Sequence, residues 1–515
     1  MTRIALSLLV LFLIATLPAP GASAQKKTDR PLRMAVLGAP ASVARLCTHL
    51  YGGGFESKAP LFETLVKRSP EGRLLPGLAA GWELRDEGRS VILTLRKGIM
   101  FHDGRPMDAE IVRWNFRCWS GQPLHAWLRA TRRIRKVTAL GPDRVRIDLD
   151  RPYALLPDLC AMNPTGILGP GSLDRRGAYE KPVGTGPFRF VKAEDGCRVL
   201  HYARFRPGEE ESDGRGLLDL VRFPEAEADR AVDALLAGDL DIIADSWITR
   251  VPRDRIAKLK ADPAVQVTES PGSAVMILHF NLRSGPASEK RIRRKIRQRV
   301  DRKALVRAVH HGHADPCFSL SAPTVKVWPR SRVAPVEEEA LPPRKIPLRF
   351  LIKKGIAREV DLAPPLVAQL ESAGFEVVVV SREEGDPYNR AVAEGLYDLR
   401  LDRTFGLPYD PYITLVYRFL PPTGPPASES SPAFGAHRDL IRLIEKATHH
   451  PDLEGRMRVY RKIQDLVDEE ALAIPLYVPR RVAVVRAGLE PPVFGSDIYH
   501  LDLAPVLDAK TPLRR

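Results

Sequence analysis

The stretch Leu348-Arg349-Phe350-Leu351-Ile352, followed by Ala363 to Ser372 and then Glu376-Val377-Val378-Val379-Val380, decides the fold class. Two short apolar, β-rich runs flank a segment of helical length. Gly374 stands where that helix must end, because glycine takes the left-handed closing turn without steric cost. Strand, helix, strand is a βαβ unit, which predicts two parallel strands and a crossover helix. The same alternation continues outward in both directions. Val91 to Leu95 reads as a strand after the turn Asp86-Glu87-Gly88. Asp108 is placed to cap a helix through Val112 and Phe116, since its carboxylate can accept from the first free backbone N–H groups. Val145-Arg146-Ile147-Asp148-Leu149 alternates as a half-buried strand does. Ala226 to Ala237 is an amphipathic helix ended by Gly238, and Asp241-Ile242-Ile243 starts a strand. Near the C-terminus, Arg438 to Glu470 gives two helices and Ala473 to Val485 a return strand. Pro329 to Pro347 and Pro421 to Pro432 read as surface connection and loop.

At 515 residues the chain exceeds what one core supports, so two or more mixed α/β lobes are expected. Its start reads as an export signal. Arg3 is a short positive region, Ile4 to Leu17 an apolar run, and Ala22-Ser23-Ala24 a cleavage site before Gln25. The protein is therefore expected to work in the periplasm. The five cysteines, Cys47, Cys118, Cys160, Cys197 and Cys317, are too scattered for a disulfide scaffold and read mainly as buried small hydrophobes, with one bridge possible. The net charge of +16 raises nucleic acid, anionic membrane or an acidic ligand. Its densest stretch, Lys290 to Arg302, carries Ile292, Ile296 and Val300 at helical spacing, which predicts a solvated helix face with an apolar stripe. No nucleic-acid motif or aromatic interleaving accompanies it, so nucleic acid is not expected as a partner.

Six motifs then point to a family. Leu78-Ala79-Ala80-Gly81-Trp82-Glu83-Leu84, Leu93 to Gly98 and Phe101-His102-Asp103-Gly104-Arg105-Pro106 to Glu110 resemble the first-lobe signature of the peptide/nickel-binding (family 5) extracellular solute-binding proteins. Gly184-Thr185-Gly186-Pro187-Phe188, Leu236 to Ile242, Phe280-Asn281-Leu282, Tyr409-Asp410-Pro411 and Ala473 to Tyr477 are similar to later motifs of that family, in its order. The resemblance implies a type II, cluster C-like periplasmic-binding-protein fold with two α/β lobes. Residues 1–24 would be the signal, 25–270 the first lobe with an extra subdomain at about 60–180, 271–478 the second lobe, and 479–515 the return to the first.

It also implies the work: capture of a peptide or a small anionic metal–chelator complex between the lobes, and delivery to the membrane subunits of an ABC importer. A monomer with no resident cofactor and no catalysis is expected. Within the family, His125-Ala126-Trp127-Leu128 and Arg403 to Pro411 resemble the nickel-binding branch, whose ligand is enclosed by aromatics and Arg. By position, Trp127, Tyr409 and Phe405 would line the cleft, with His125 and with Phe55 after the turn Gly52-Gly53-Gly54. The departures are Asn163 and Leu124 where that branch has arginines, and no counterpart of its metal-touching His in Pro421 to Pro432. Family members that bind peptides use an Asp where Asp410 stands. Arg403 and Arg418 flank this loop, and a guanidinium fork suits a carboxylate.

Two further constellations compete. His310-His311-Gly312-His313 with Cys317 is the one His-rich cluster and offers ligands suited to zinc, nickel or copper, although the spacing matches no standard zinc motif. His102-Asp103-Gly104 looks like a polar pair but falls in a turn. A secreted hydrolase of peptides or esters is the alternative reading, and no G-x-S-x-G or H-E-x-x-H supports it. A ligand-presenting sensor subunit is the other. The expected mechanism is hinge closure about two crossings, near Pro271 to Leu282 and near Leu476 to Val485.

Overall fold

The computed structural model describes residues 30–37, 55–69, 72–119, 131, 133–153, 155–162, 165–173, 180–207, 217–246, 249–332, 344–404, 411–420, 437–450, 452–495 and 501–506. The βαβ unit forms as its sequence dictates. Ile346–Lys354 runs parallel to Phe375–Glu383, with the helix Ala363–Ser372 between them. Leu348, Phe350 and Ile352 face the same core as Leu366 and Leu370 of that helix. This unit sits at one side of a six-stranded sheet. From the far side, that sheet runs Ala314–Pro316, Ala473–Pro479, Met276–Phe280, Leu399–Arg403, Ile346–Lys354 and Phe375–Glu383.

A second, seven-stranded sheet is ordered Val265–Ser270, Arg481–Arg486, Ile242–Ala244, Leu32–Leu37, Leu218–Phe223, Val199–Arg204 and Phe188–Glu194. Leu32–Leu37 lies parallel to both its neighbours. It is apolar at nearly every position because both its faces are covered. Leu32, Met34 and Val36 enter one core, while Ala35 and Leu37 enter the other.

Two segments pass between the sheets. Val265–Ser270 in the seven-stranded sheet continues into Met276–Phe280 in the six-stranded one. Ala473–Pro479 lies in the six-stranded sheet and Arg481–Arg486 in the seven-stranded one. The expected single strand from Ala473 to Val485 is therefore two strands in two sheets. Pro479 has no N–H with which to continue a ladder, and the Arg480 N–H turns instead to the carbonyl of His313, 3.1 Å away. The crossings press together at Gly272. A Cβ there would lie 1.9 Å from the carbonyl oxygen of Pro479, so only glycine fits.

A four-stranded antiparallel sheet of Ala79–Arg85, Ser90–Leu95, Arg144–Leu149 and Ile134–Ala139 holds the Trp82 and His102 motifs nearby. The helix Ala109–Trp119 turns buried Val112, Phe116 and Trp119 inward, and the Asp108 carboxylate accepts from the N–H of Ile111 at 2.9 Å. The signal segment lies outside the described residues. Among those, no helix is long and apolar enough to cross a membrane.

The basic stretch corrects its reading as a solvated face. Ile292 and Ile296 do form a buried stripe on the helix Lys290–Arg299, but Arg293 and Lys295 are buried with them. Arg293 is 4% exposed and donates to the carbonyls of Glu470 at 2.8 Å and Ala471 at 3.1 Å. Arg294 donates to Glu469 O at 3.1 Å, and Arg297 to Asp468 O. The carbonyls of Asp468, Glu469 and Glu470 are the last of the 18-residue helix Leu453–Glu470, have no partner within the helix and carry its negative dipole end, and Ala471 is its left-handed cap.

Candidate functional site

The strand Ile242–Ala244 ends at Asp245, and Asp245 organises the place where the chain passes between the sheets. Its main-chain N–H donates to Val482 O at 2.8 Å. Its carboxylate accepts from the N–H groups of Val251 at 2.8 Å and Val482 at 2.9 Å, and takes the Arg253 guanidinium. Arg253 in turn donates to Arg480 O at 2.9 Å. Both partners of this ion pair are buried, so each depends on the other for compensation. On the neighbouring surface, Arg480 grips Asp315 with two bonds of 2.8 and 3.2 Å. His313 faces Glu269 at 3.1 Å, joining a residue ahead of the strand Ala314–Pro316 to the strand Val265–Ser270.

Against these crossings lies a cavity of roughly 70 Å³. Six guanidinium residues line it: Arg250, Arg253, Arg358, Arg403, Arg480 and Arg481. Asp245 is the one acidic residue among the described lining. His310 and Tyr477 form part of the wall, their rings edge to face at 4.6 Å. Burial, reinforced by Arg250 and Arg253, holds the His310 imidazole well below its usual pKa, so it is neutral. Burial also drives the Tyr477 phenol upward, keeping it a neutral donor. The site is a positively charged recess with neutral hydrogen-bonding groups, suited to an anion.

The candidate residues from the sequence divide into three groups. Tyr409, Asp410, Phe405, Trp127, His125 and Asn163 lie outside the described residues. Phe55 opens the short helix Phe55–Lys58, and its side chain lies outside them too. Arg403 ends the strand Leu399–Arg403 and lines the cavity. Arg418, the other arginine expected to flank the loop of Tyr409 and Asp410, lies on the helix Tyr412–Phe419. It is 4% exposed, donates to Arg403 O at 3.1 Å and pairs with Asp402 at 3.1 Å. Arg400 pairs with the same carboxylate at 3.0 Å. Burial opposes ionisation of Asp402, but the flanking guanidiniums of Arg418 and Arg400 outweigh it and hold the carboxyl below the usual range.

The histidine cluster does not converge. His310 packs on Tyr477, His311 takes the left-handed turn (φ 49°) that ends the helix Arg302–His310, and His313 pairs with Glu269. Cys317 is buried, with its thiol pushed up to about 11 chiefly by that burial, so it is no thiolate. Among the described residues no three His, Cys, Asp or Glu side chains are placed to hold a metal ion. Cys118, Cys160, Cys197 and Cys317 are free thiols. Cys47 is outside the described residues.

His102 is a bracket between two motifs. Its Nε2 and the carbonyl of Gly186 are 3.0 Å apart, and its Nδ1 accepts from the Gly184 N–H at 3.2 Å. Sequence reasoning missed Arg250, Arg358 and Arg481, and read Tyr477 only as part of a motif. No local signal marks them, because the cavity is assembled from segments more than two hundred residues apart.

The fold is that of the two-lobed periplasmic binding proteins. It superposes on NikA from Brucella suis, solved in complex with Fe(III)-EDTA, with a TM-score of 0.79 and 20% identity, covering 93% of this chain and 99% of that one. A dipeptide binding protein from Pseudoalteromonas sp. SM9913, solved with Met-Leu, matches with a TM-score of 0.76 and 18% identity over 92% of this chain and 99% of that one. Residues 73–424 match the family model described as bacterial extracellular solute-binding proteins, family 5 Middle, and the chain belongs to that family. Relatives by sequence include the nickel-binding periplasmic protein of Escherichia coli K12, 26% identical over 85% of this chain and 87% of the relative. A probable di/tripeptide-binding protein 5 of Pseudomonas aeruginosa UCBPP-PA14 is 25% identical over 88% of this chain and 93% of its own length. The protein is thus an extracytoplasmic solute-binding component of an ABC importer.

Proposed function

We propose that this chain captures a peptide or a small anionic metal–chelator complex between its lobes and presents it to the importer's membrane subunits. The observation that carries the reading is the arginine-lined cavity at the two sheet crossings. Its excess of positive charge fits carboxylate-bearing ligands, a chemistry shared by peptides and by organic chelates. The lobes are residues 25–270 with 479–515, and 271–478, and the hinge is the pair of crossings at 271–275 and Arg480. Tyr409, Asp410, Phe405, Trp127, His125, Asn163 and Phe55 complete the cleft with Arg403. The mature protein acts as a periplasmic monomer from Gln25 onward, binds no nucleic acid and alters no covalent bond.

Titration calorimetry with Met-Leu, glutathione, Ni(II)–L-histidine and Fe(III)-EDTA tests this reading, with small-angle scattering on the same samples. At least one ligand is expected to bind with a reduced radius of gyration and to be recovered unchanged. Absence of binding by all four, or product accumulating from a bound peptide, would overturn it.

A further inference from the structure

The six-stranded sheet ends on the strand Phe375–Glu383, which pairs with Ile346–Lys354 on one side and with no described strand on the other. The parallel ladder between the two runs the full 9 residues without a bulge. Its geometry decides which way each amide points. Ile346 stands opposite Phe375, and its N–H donates to Gly374 O at 3.3 Å. In a parallel ladder a residue bonds the two neighbours of the residue it faces, so the even-numbered residues of the edge strand serve the sheet. The main-chain N–H and C=O groups of Phe375, Val377, Val379, Ser381 and Glu383 therefore point to the open edge.

A free row of such groups recruits another strand, and proteins normally blunt it with a proline, a bulge or a central lysine. This edge has none of these. Its middle is Val377-Val378-Val379-Val380, with Val378 54% and Val379 43% exposed. The charges sit toward the ends, at exposed Glu376 and Arg382. Among the described residues the Glu376 carboxylate has no hydrogen bond or ion pair, and the Arg382 guanidinium bonds only Ser381 O, at 3.0 Å. Glu383 is already paired with Lys354 at 2.8 Å.

The order of these residues fits a second copy of the same strand. Two identical edges meet antiparallel about a twofold axis, and residues opposite each other share a face of the sheet. With the axis at Val379, Glu376 faces Arg382 of the second copy and Arg382 faces its Glu376, while Val378 faces Val380. The outward amides match in the same register: Val379 meets Val379, and Val377 meets Ser381. An axis at Val378 would set Glu376 against Val380, and an axis at Val380 would set it against Glu384, a like charge.

We infer that the edge strand Phe375–Glu383 is a self-association surface: two copies of this chain pair antiparallel about Val379, with a Glu376–Arg382 bridge at each end, and their six-stranded sheets become one. The contact is about 30 Å long and about 10 Å deep. It covers roughly 300 Å² per copy, against ~800 Å² per partner in stable complexes. Dilute protein therefore stays the monomer proposed above, and pairing belongs to concentrated protein. No residue of the strand is among the described lining of the cavity, so pairing and ligand capture are separate properties.

Sedimentation velocity at rising concentration tests the surface on wild type, Glu376→Arg and Arg382→Glu, each checked for folding by circular dichroism and thermal melting. Wild type is expected to pass reversibly from monomer to dimer and no further, since pairing uses up the edge. Each single variant sets like charges opposite each other at both ends and is expected to pair at least about tenfold more weakly. An equimolar mixture of the two variants restores both bridges, so dimer should return in the mixture. Val379→Pro, whose lost N–H points to the open edge and not to the sheet, should also abolish pairing. Hydrogen exchange at 375–383 should slow as wild type is concentrated. A wild type that is monomeric at every concentration, assemblies beyond the dimer, single variants that pair as well as wild type, or a mixture that stays monomeric overturns the proposal. So does protection of these amides already in dilute protein, which would mean that another segment of the chain covers the edge. None of these measurements involves a ligand, so their outcome stands apart from the solute-binding reading.

Discussion

The Asp245 carboxylate accepts from the main-chain N–H of Val482 at 2.9 Å, across 237 residues of sequence. That bond fixes the end of one strand in the seven-stranded sheet to the chain just after it returns from the other sheet. The same carboxylate carries Arg253, which reaches on to Arg480 O. A single acidic side chain therefore anchors the loop that presents Arg250 and one of the two passages between the lobes. This passage is held where water is excluded, which strengthens each of these bonds.

Asp245→Asn removes the charge and leaves the shape. Arg253 then remains buried without a counter-charge, which costs about 3–5 kcal/mol. The expected outcome is a lower urea midpoint, with part of the loss recovered when Arg253→Met is added, because the stranded cation is gone. A double variant no more stable than the single one would show that the pair is not the anchor described above.

His102 makes stability depend on pH in a defined window. Both its ring nitrogens are engaged, one accepting from Gly184 N–H and one facing Gly186 O. Burial pushes its pKa down to about 4, below the ordinary 6.5. The folded protein thus keeps this imidazole neutral, while the unfolded chain takes up a proton as pH falls past 6.5. Its contribution is complete above about 6.5, is lost as pH falls toward 4, and does not change further below that. The loss amounts to up to about 3 kcal/mol. Urea unfolding between pH 7.5 and 4 should show wild type declining more steeply than His102→Gln. Parallel curves for the two proteins would refute the assignment.

The βαβ unit was legible because each of its parts is local: an apolar run, a helical segment, and Gly374 with its left-handed backbone. The family was legible because its motifs are turns and caps whose chemistry is fixed by neighbours. Asp108 caps its helix within three residues. The cavity was not legible, since Arg250, Arg358, Arg403 and Tyr477 meet only after two sheets have formed and crossed. Burial of Arg293 was missed for the same reason, as the carbonyls it serves lie some 177 residues away. A guanidinium in a basic amphipathic stretch looks solvent-bound until a distant helix end is known to lie over it. The partner of Arg418 was equally hidden, because proximity in sequence to Arg403 does not say which way a side chain points, and Arg418 pairs with Asp402.

Gly272→Ala should injure the packing of the two sheet crossings by volume alone. The new methyl would sit 1.9 Å from Pro479 O and 2.7 Å from the Val478 side chain, so the two passages must separate. Overpacking of this kind costs about 1–3 kcal/mol or more. The thermal midpoint should fall, and hydrogen exchange should quicken in the peptides spanning 271–275 and 478–482 before the rest of the chain. Unchanged exchange at both passages would contradict the close approach.

Arg293→Met tests the clamp on the long helix. The methionine keeps the aliphatic stem but removes every bond to the carbonyls of Glu470, Ala471, Ala287 and Ser288. At least one buried carbonyl is then left without a donor, at about 1–3 kcal/mol, and the helix dipole loses its nearest buried cation. Arg293→Lys should recover only a minor share, because one ammonium cannot span the fork of positions that the guanidinium reaches. The chemical-denaturation midpoint is expected to rank wild type above Arg293→Lys above Arg293→Met. Ligand affinity should be unaffected in either variant once folded, since this contact lies apart from the cavity lining. A lysine variant as stable as wild type would mean that charge alone, and not the geometry of the fork, holds the helix end.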